Sequence, residues 1–408
     1  MRILLLTQWF DPEPTFKGLA FAKELVARGH EVEVLTGFPN YPGGRVYPGY
    51  RIRWRQRELV EGIPVTRVAL YPSHDRSAVR RAANYLSFAL SAATIGAFTV
   101  RRPDVVYAYH PPATIALAAM VLKWFRGVPF VLDIQDLWPD TLTATGMMRS
   151  RAALGIIGMF CRLAYRSAAR VVVLSPGFNR LLVDRGVPAD KLEVIYNWCD
   201  EAAITNANPS AAVLEEACLD GRFNVVFAGT MGKAQALSSV LHAAKLVEAC
   251  DSKVQFTFVG GGIEVEALKR EAMALGLGNV RFLSRRPPAE IGPLLHAADV
   301  LLVHLSDSPL FAITIPSKTQ AYMAVGRPIL MAVRGDAADL IRQAGAGVCT
   351  CPENPRQLAD AVCELAQAPA GKLAVLGERG KAFYEQYLSL QAGVGHFEKL
   401  LESAARGA

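Results

Sequence analysis

The chain has 408 residues, of which 51% are hydrophobic and 20% are charged, so we expect about two globular domains and not a disordered chain. Its net charge of +7 is uneven: residues 1–195 carry +10 and residues 196–408 carry −3, which indicates an anionic partner for the first half, such as a membrane surface, a lipid phosphate or a nucleic acid. Seven scattered cysteines, with Cys349 and Cys351 as the one close pair, favour a reducing cytosol over a disulfide framework or a zinc site.

The first residues predict a strand–helix–strand unit. A short apolar strand at Arg2–Thr7 leads through a loop to a helix at Leu19–Arg28, and Gly29 and His30 turn the chain into a strand at Glu31–Leu35. This start lacks the cationic region and the long apolar core of an export signal, so no signal peptide is expected.

The same order returns in the second half, where strands at Asn224–Ala228 and Gln255–Val259 flank a helix at Leu237–Ala249. Strands that alternate with helices predict an α/β fold with a parallel, doubly wound sheet. Because the pattern occurs twice, the sequence predicts two Rossmann-like domains.

The expected domains are residues 1–198 and 199–385, and residues 386–408 are expected to form a helix that returns to the first domain. Ligands of such folds bind at the carboxyl ends of the strands, where the strand order reverses. A site in the cleft between two facing domains is therefore predicted.

Two features of the first half suggest contact with anions or with a membrane. Arg51, Arg53, Arg55 and Arg57 alternate, so they would share one face of a strand, which is either a binding face for an anion or a solvated edge. Residues 82–100 carry no charge and lie between pairs of arginines. Their polar side chains favour a packed helix with one face on the membrane over a true membrane span.

A second apolar patch at Leu154–Phe160 also lies among arginines. Basic residues around an apolar face are typical of interfacial docking, although an ordinary core helix has the same pattern.

Three carboxylates follow a buried strand in the segment Val131–Asp140. Asp133 and Asp136 are candidates to orient or deprotonate an acceptor hydroxyl, and the alternative is that they cap a loop. His110, which follows the strand at Val105–Tyr109, is a further catalytic candidate with a structural alternative.

Two glycine loops of the second half are candidates to hold a diphosphate. Gly260, Gly261 and Gly262 stand between a strand and a helix, and Gly229–Lys233 follows another strand and ends in a cation. The alternatives are a tight strand–helix turn and a solvated surface lysine. Neither loop is a Walker A motif or a complete dinucleotide fingerprint, which argues against ATPase and NAD-dependent activity.

Residues 316–336 predict the start of a helix, a Gly-Arg-Pro turn and a buried strand at Ile329–Val333. Ser317 is a candidate N-cap, and Lys318 lies in the first turn, where a helix favours an acid. A bound anion would balance that cation. The alternative is an ordinary α/β helix–strand joint.

Taken together, these segments resemble the family 4 retaining glycosyltransferases, which have the two-domain GT-B fold, and within them a WbuB-like subgroup of O-antigen and colanic-acid enzymes. The resemblance covers nearly the whole chain. Its more specific segments are GFPNYP at residues 37–42 and IPSKTQ at residues 315–320.

The resemblance implies that the second domain binds a nucleotide-diphosphate sugar and that the first domain binds the acceptor. The acceptor-binding residues expected on this basis are Lys17, Gly18 and Asp140. The donor-binding residues expected are Gly229, Thr230, Lys233, Gly260, Gly261, Gly262, Ser317, Lys318 and Gln320. Lys233 and Lys318 would stabilise the departing diphosphate. No Asp-x-Asp metal motif follows a strand, so neither a metal nor another cofactor is expected.

The resemblance also implies a UDP-linked donor, with an N-acetylated sugar such as N-acetyl-fucosamine, and an undecaprenyl-diphosphate-linked acceptor. GDP-linked and other donors are the alternatives. The enzyme would be cytoplasmic and peripheral on the inner face of the bacterial plasma membrane, with no nucleic-acid partner. A sugar-nucleotide epimerase of the same fold and a non-enzymatic nucleic-acid or anion-binding protein are the alternatives.

Some residues depart from the family pattern. The paired glutamates are missing, since Ile313 and Ala321 occupy their positions, and Gln320 is a candidate substitute. Gln135 stands where the family has a catalytic-loop histidine, and Lys233 is a shifted match to a phosphate-binding cation.

Overall fold

The computed structural model describes residues 1–74, 77–144, 148, 150–204, 221–250 and 253–407. Its internal contacts divide the chain into two units, of which the first comprises Met1–Tyr196 and Gly393–Ala408 and the second comprises Asn197–Ala392. Each unit contains one largely parallel sheet with helices between its strands. The predicted α/β fold with two Rossmann-like domains is confirmed.

The sheet of the first unit has eight strands in the order β3-β4-β2-β1-β5-β6-β7-β8. The strands are β1 (Arg2–Thr7), β2 (Glu31–Gly37), β3 (Arg55–Val60), β4 (Ile63–Val68), β5 (Val105–His110), β6 (Phe130–Ile134), β7 (Arg170–Val173) and β8 (Leu192–Val194). All neighbouring pairs are parallel except β3 with β4. The strand order reverses between β1 and β5, which places the expected ligand crevice beyond their carboxyl ends.

Helices join these strands: α1 (Leu19–Ala27), α2 (Ala78–Ser91), α3 (Ala97–Thr99), α4 (Ile115–Arg126), α5 (Asp140–Ala144), α6 (Arg151–Ser167) and α7 (Pro176–Asp184). A π-helical turn at Ala92–Gly96 connects α2 to α3. Among the residues that the structure describes, no helix combines the length and the apolar character needed to cross a bilayer.

Strands β5 and β6 are buried along their whole length, as near-continuous apolar strands of a parallel sheet must be when helices cover both faces. The arginine-rich segment behaves differently. Only Arg55 and Arg57 of its four arginines lie on β3, an edge strand, so the predicted four-residue strand face is wrong.

The sheet of the second unit has six strands in the order β11-β10-β9-β12-β13-β14, and all neighbouring pairs are parallel. The strands are β9 (Phe223–Thr230), β10 (Val254–Gly261), β11 (Val280–Leu283), β12 (Val300–His304), β13 (Ile329–Ala332) and β14 (Gly347–Cys349). Here the strand order reverses between β9 and β12.

The helices of this part of the chain are α8 (Glu201–Ile204), α9 (Ser238–Cys250), α10 (Val265–Ala274), α11 (Pro288–His296), α12 (Pro309–Ala312), α13 (Lys318–Val325), α14 (Asp336–Ala344), α15 (Pro355–Gln367), α16 (Ala370–Phe383) and α17 (Leu390–Arg406). From Gly393 onward, α17 belongs to the first unit. There the Phe397 ring packs against Phe21 and Tyr107, with centroid distances of 5.5 and 5.3 Å.

Candidate active site

The two glycine loops of the second unit lie side by side at the carboxyl ends of β9 and β10. The strands stay in register to their ends, where Gly260 is paired with Gly229 and Gly261 with Thr230. A Cβ atom on Gly260 would lie 2.0 Å from the carbonyl oxygen of Gly229, and φ at Gly260 is +145°. Glycine is therefore required at Gly260 by the close approach of two backbones.

Gly262 is constrained in the same way, since an added Cβ would lie 2.1 Å from the carbonyl oxygen of Met231. Gly261, in contrast, has no atom within 4 Å of such a Cβ. The structure thus brings together the predicted glycines and Thr230, and packing alone explains two of the three residues in the Gly260–Gly262 run.

Lys318, the first residue of α13, reaches the Gly229 loop. Its Nζ atom lies 3.5 Å from the centroid of the Phe227 ring, and a Cβ on Gly229 would lie 3.2 Å from that nitrogen. The nitrogen is buried and has no hydrogen-bond partner among the described residues. Burial lowers the pKa of Lys318 to about 7. An unpaired buried amine beside a glycine loop is suited to receive an anion.

Two further predicted donor-binding residues, Ser317 and Gln320, lie at the same helix start. Ser317 is exposed and occupies the N-cap position, but its side chain makes no capping bond, so the predicted cap is wrong. Gln320 is buried, and its side-chain amide nitrogen donates to the carbonyl oxygens of Pro316 and Ser317 at 3.1 and 3.0 Å. Gln320 is therefore engaged with the backbone that precedes its own helix, while its predicted donor contact stays a prediction.

Lys233 lies in a single 3₁₀ turn, Lys233–Gln235, and its side chain is exposed. The two predicted cations thus differ in environment: Lys233 is solvated, and Lys318 is held against the loop. Burial is the property that separates them, and local sequence does not report it.

Two residues that the sequence analysis missed position this site. The Tyr322 hydroxyl accepts from the backbone N–H of Ala228 at 2.8 Å, which ties α13 to β9. His304, at the carboxyl end of β12, places Nδ1 2.7 Å from the carbonyl oxygen of Gln235, and its Nε2 accepts from the N–H of Glu353. Burial, together with the nearby Lys318, lowers the pKa of His304, which is consistent with a neutral imidazole.

In the first unit, Asp133 and Lys17 form a buried ion pair. Lys17 Nζ lies 2.5 Å from Asp133 Oδ2, and both side chains are fully inaccessible to solvent. The Tyr107 hydroxyl donates to the same carboxylate oxygen, and the Gln135 amide donates to the other at 2.8 Å. This enclosure suits a structural ion pair better than the direct contacts with substrate predicted for Asp133 and Lys17.

Gly18 and Asp140 also have structural partners. A Cβ on Gly18 would lie 2.3 Å from Asp11 Oδ2, the oxygen that accepts from the N–H of Leu19 at the start of α1. Asp140, the first residue of α5, accepts from Arg185 at 2.7 Å. Their predicted acceptor contacts remain predictions.

His110 and Asp136 lie at the carboxyl ends of β5 and β6. Burial lowers the pKa of His110 to about 3, so its imidazole is neutral, and its Nδ1 has no partner in the described part of the chain. Burial raises the pKa of Asp136. A carboxyl group with a raised pKa at this edge of the sheet suits proton transfer, and Asp136 is therefore better placed for it than Asp133.

Comparison with known proteins gives a match on each unit. Residues 19–198 match the model of the glycosyl transferase 4-like domain, and residues 222–368 match that of the glycosyl transferases group 1. The chain is 29% identical over 300 residues to the probable glycosyltransferase WbjE of Pseudomonas aeruginosa, covering 71% of this chain and 73% of that protein. It is 26% identical over 336 residues to the putative colanic acid biosynthesis glycosyl transferase WcaI of Escherichia coli K12, covering 80% and 82%.

Solved structures show the same fold. HepE of Anabaena in complex with UDP-glucose superposes with a TM-score of 0.69 at 17% identity, covering 99% of this chain and 100% of that one. A trehalose-6-phosphate protein of E. coli bound with UDP-2-fluoro glucose gives a TM-score of 0.73 at 12% identity, covering 98% and 99%. The first unit is a glycosyl transferase 4-like domain, and the second is a domain of the glycosyl transferases group 1. The chain therefore belongs to the GT-B glycosyltransferases.

Proposed function

We propose that this glycosyltransferase moves a sugar from a UDP-linked donor, bound by the second unit, to an undecaprenyl-diphosphate-linked saccharide during synthesis of a bacterial surface polysaccharide. An N-acetylated hexose such as N-acetyl-fucosamine is the proposed donor sugar, and the anomeric configuration is retained. Support comes from the colanic-acid name of the E. coli relative and from structural neighbours that bind UDP or UDP-sugars.

The unpaired amine of Lys318 carries the donor half of the proposal. It lies beside Gly229 at the carboxyl end of β9, next to the point where the strand order reverses, which is where such sheets bind ligands. A diphosphate there would pair with the amine and with backbone N–H groups of the glycine loops. As the glycosidic bond to phosphate breaks, this cation stabilises the charge that develops on the leaving group.

Because Lys318 supplies positive charge at the proposed leaving group, we expect transfer without an added divalent metal. Activity measured in EDTA should equal activity measured with magnesium. A strict magnesium requirement would argue against Lys318 as the main charge-stabilising group.

The acceptor half involves the outer helices of the first unit. Helices α2, α3, α4 and α6 pack side by side, and the Phe98 and Phe125 rings meet at 6.4 Å. Large apolar side chains of these helices are 52–72% exposed: Leu86, Leu90, Phe98, Phe125, Ile156 and Met159. Exposed arginines accompany them: Arg80, Arg101, Arg102, Arg151, Arg162 and Arg166. We propose that this helical face docks on the anionic inner surface of the plasma membrane, where the lipid-linked acceptor resides.

Nucleotide binding tests the donor assignment. Isothermal titration with UDP, GDP and dTDP should show the tightest binding for UDP, and Lys318→Met should weaken it by roughly ten- to a hundredfold, as loss of a charge-assisted contact predicts. Lys269→Met is the matched control, because Lys269 is a half-exposed lysine of α10 that pairs with Glu266. Equal UDP binding by both variants would contradict the site.

A further inference from the structure

Aromatic side chains converge at the carboxyl ends of β1, β2 and β6 in the first unit. The Trp9 ring stacks on Tyr41, with centroids 4.5 Å apart and planes 27° apart, and His74 meets Tyr41 edge-on at 4.8 Å. The Trp138 ring lies 6.1 Å from Tyr85 on α2. All five of these residues, which we call the aromatic cluster, are partly exposed.

The two halves of the cluster are neighbours. Burial raises the pKa of Tyr85, with further effects from Arg81, Asp136 and Tyr41, so these groups lie within electrostatic range of Tyr85. The strand order agrees, because β2, β1, β5 and β6 are consecutive in the sheet and their ends form one continuous edge. The cluster therefore lies beside His110 and Asp136.

Buried polar groups hold the cluster in position. Glu13 accepts from the backbone N–H groups of Asn40 and Tyr41, both at 2.7 Å, and so anchors the loop that carries Tyr41. Gln8, which precedes Trp9, donates to the Asn84 side chain at 2.6 Å, and Asn84 precedes Tyr85. The aromatic faces are thus presented by a rigid support, as a preorganised binding surface requires.

Arg81 adds a cation to the same place. It lies one turn before Tyr85 on α2, so the two side chains share a helix face. Its Nε atom is buried and has no hydrogen-bond partner among the described residues, while Arg81 as a whole is partly exposed. A buried guanidinium donor without an acceptor indicates that an anion completes the site.

We propose that the aromatic cluster and Arg81 form an acceptor subsite for a glycosyl phosphate. The polarised C–H bonds on the face of a pyranose match the negative face of the Trp9 and Trp138 rings, and the guanidinium of Arg81 binds the phosphate attached to the sugar. This inference rests on the proposed transfer to a phosphate-linked saccharide. It places the acceptor at residues other than Lys17, Gly18 and Asp140.

Tryptophan fluorescence tests the subsite directly. The full chain, saturated with UDP, is titrated with N-acetylglucosamine 1-phosphate, with N-acetylglucosamine and with inorganic phosphate. We expect the sugar phosphate to bind best and to change the emission. Arg81→Gln should weaken its binding by roughly tenfold or more, while Arg180→Gln, an exposed arginine on α7, should not.

The aromatic contribution is tested with Trp9→Leu and Trp9→Phe. The leucine variant should bind the sugar phosphate several-fold more weakly, and the phenylalanine variant should recover most of the loss because it restores an aromatic face.

Separate UDP titrations report on the donor site. If UDP does not bind but the sugar phosphate binds through Arg81, the donor assignment fails and the subsite stands.

Two results would overturn the subsite. One is wild-type binding of the sugar phosphate by both Arg81→Gln and Trp9→Leu. The other is binding of inorganic phosphate as tight as that of the sugar phosphate, which would leave an anion site without saccharide recognition.

Discussion

The amine of Lys318 lies 3.5 Å from the centre of the Phe227 ring, although the two residues are on different elements, α13 and β9. The aromatic face offers the amine a weak electrostatic partner, worth about 0.5–2 kcal/mol, which is less than an ion pair with a phosphate would provide in a buried site. The amine is therefore held close to its proposed ligand and remains available for it.

This arrangement predicts that UDP binding depends on pH. Burial lowers the pKa of Lys318 to about 7, so the free enzyme loses the ammonium charge as the pH rises above that value. Bound diphosphate favours the charged form, and binding must then take up a proton. UDP affinity measured by calorimetry should fall by up to about tenfold per pH unit between pH 7 and pH 9.

Lys318→Arg is the control for this pH dependence, because a guanidinium keeps its charge throughout the range. Its UDP affinity should be nearly constant between pH 7 and pH 9. The same slope in both proteins would show that another group takes up the proton.

The ion pair of Lys17 and Asp133 predicts a loss of stability when one partner is removed. Asp133→Asn leaves a buried ammonium without its counter-charge, which costs about 3–5 kcal/mol of unfolding free energy in buried pairs. Urea unfolding should show this loss, and Lys17→Met combined with Asp133→Leu should lose less than the sum of the single variants. A stable but inactive Asp133→Asn protein would instead favour the catalytic role predicted from sequence.

The paired glycine loops predict that two adjacent glycines respond differently to alanine. Gly260→Ala places a Cβ 2.0 Å from the Gly229 carbonyl oxygen, and we expect a loss of about 2–4 kcal/mol in urea unfolding. Gly261→Ala meets open space and should unfold within about 1 kcal/mol of the wild type. Similar stabilities for both variants would contradict the close approach of β9 and β10.

The helical face predicts reversible binding to anionic membranes. Serine at both Phe98 and Phe125 removes side chains that are 61% and 72% exposed, and it should weaken sedimentation with phosphatidylglycerol vesicles several-fold. Met273→Ser on α10 removes an exposed side chain of the second unit and should have no effect. Unchanged sedimentation of the double variant would argue against membrane docking by this face, and a change in its oligomeric state would assign the face to a second copy of the chain.

Local pattern was sufficient to predict the strands that carry the site. The predicted strand at Arg2–Thr7 has the observed bounds, and the one at Asn224–Ala228 extends by one residue at its start and two at its end. A short apolar run that is bounded by turn residues predicts a buried strand from local sequence alone. For the same reason, the sequence shows the glycine loops, whereas the contact between them depends on the pairing of β9 with β10.

The sequence alone also separated a basic first half from a second half with a small negative charge, and its motifs pointed to the family. Only the tertiary structure decided which charged groups are free to act. Asp133 is enclosed by Lys17, a partner 116 residues away. Of the two lysines predicted to bind the diphosphate, Lys233 is exposed and the Nζ atom of Lys318 is buried. The physical reason is desolvation: the pKa and partners of a side chain depend on the segments that pack around it, and those segments are distant in sequence.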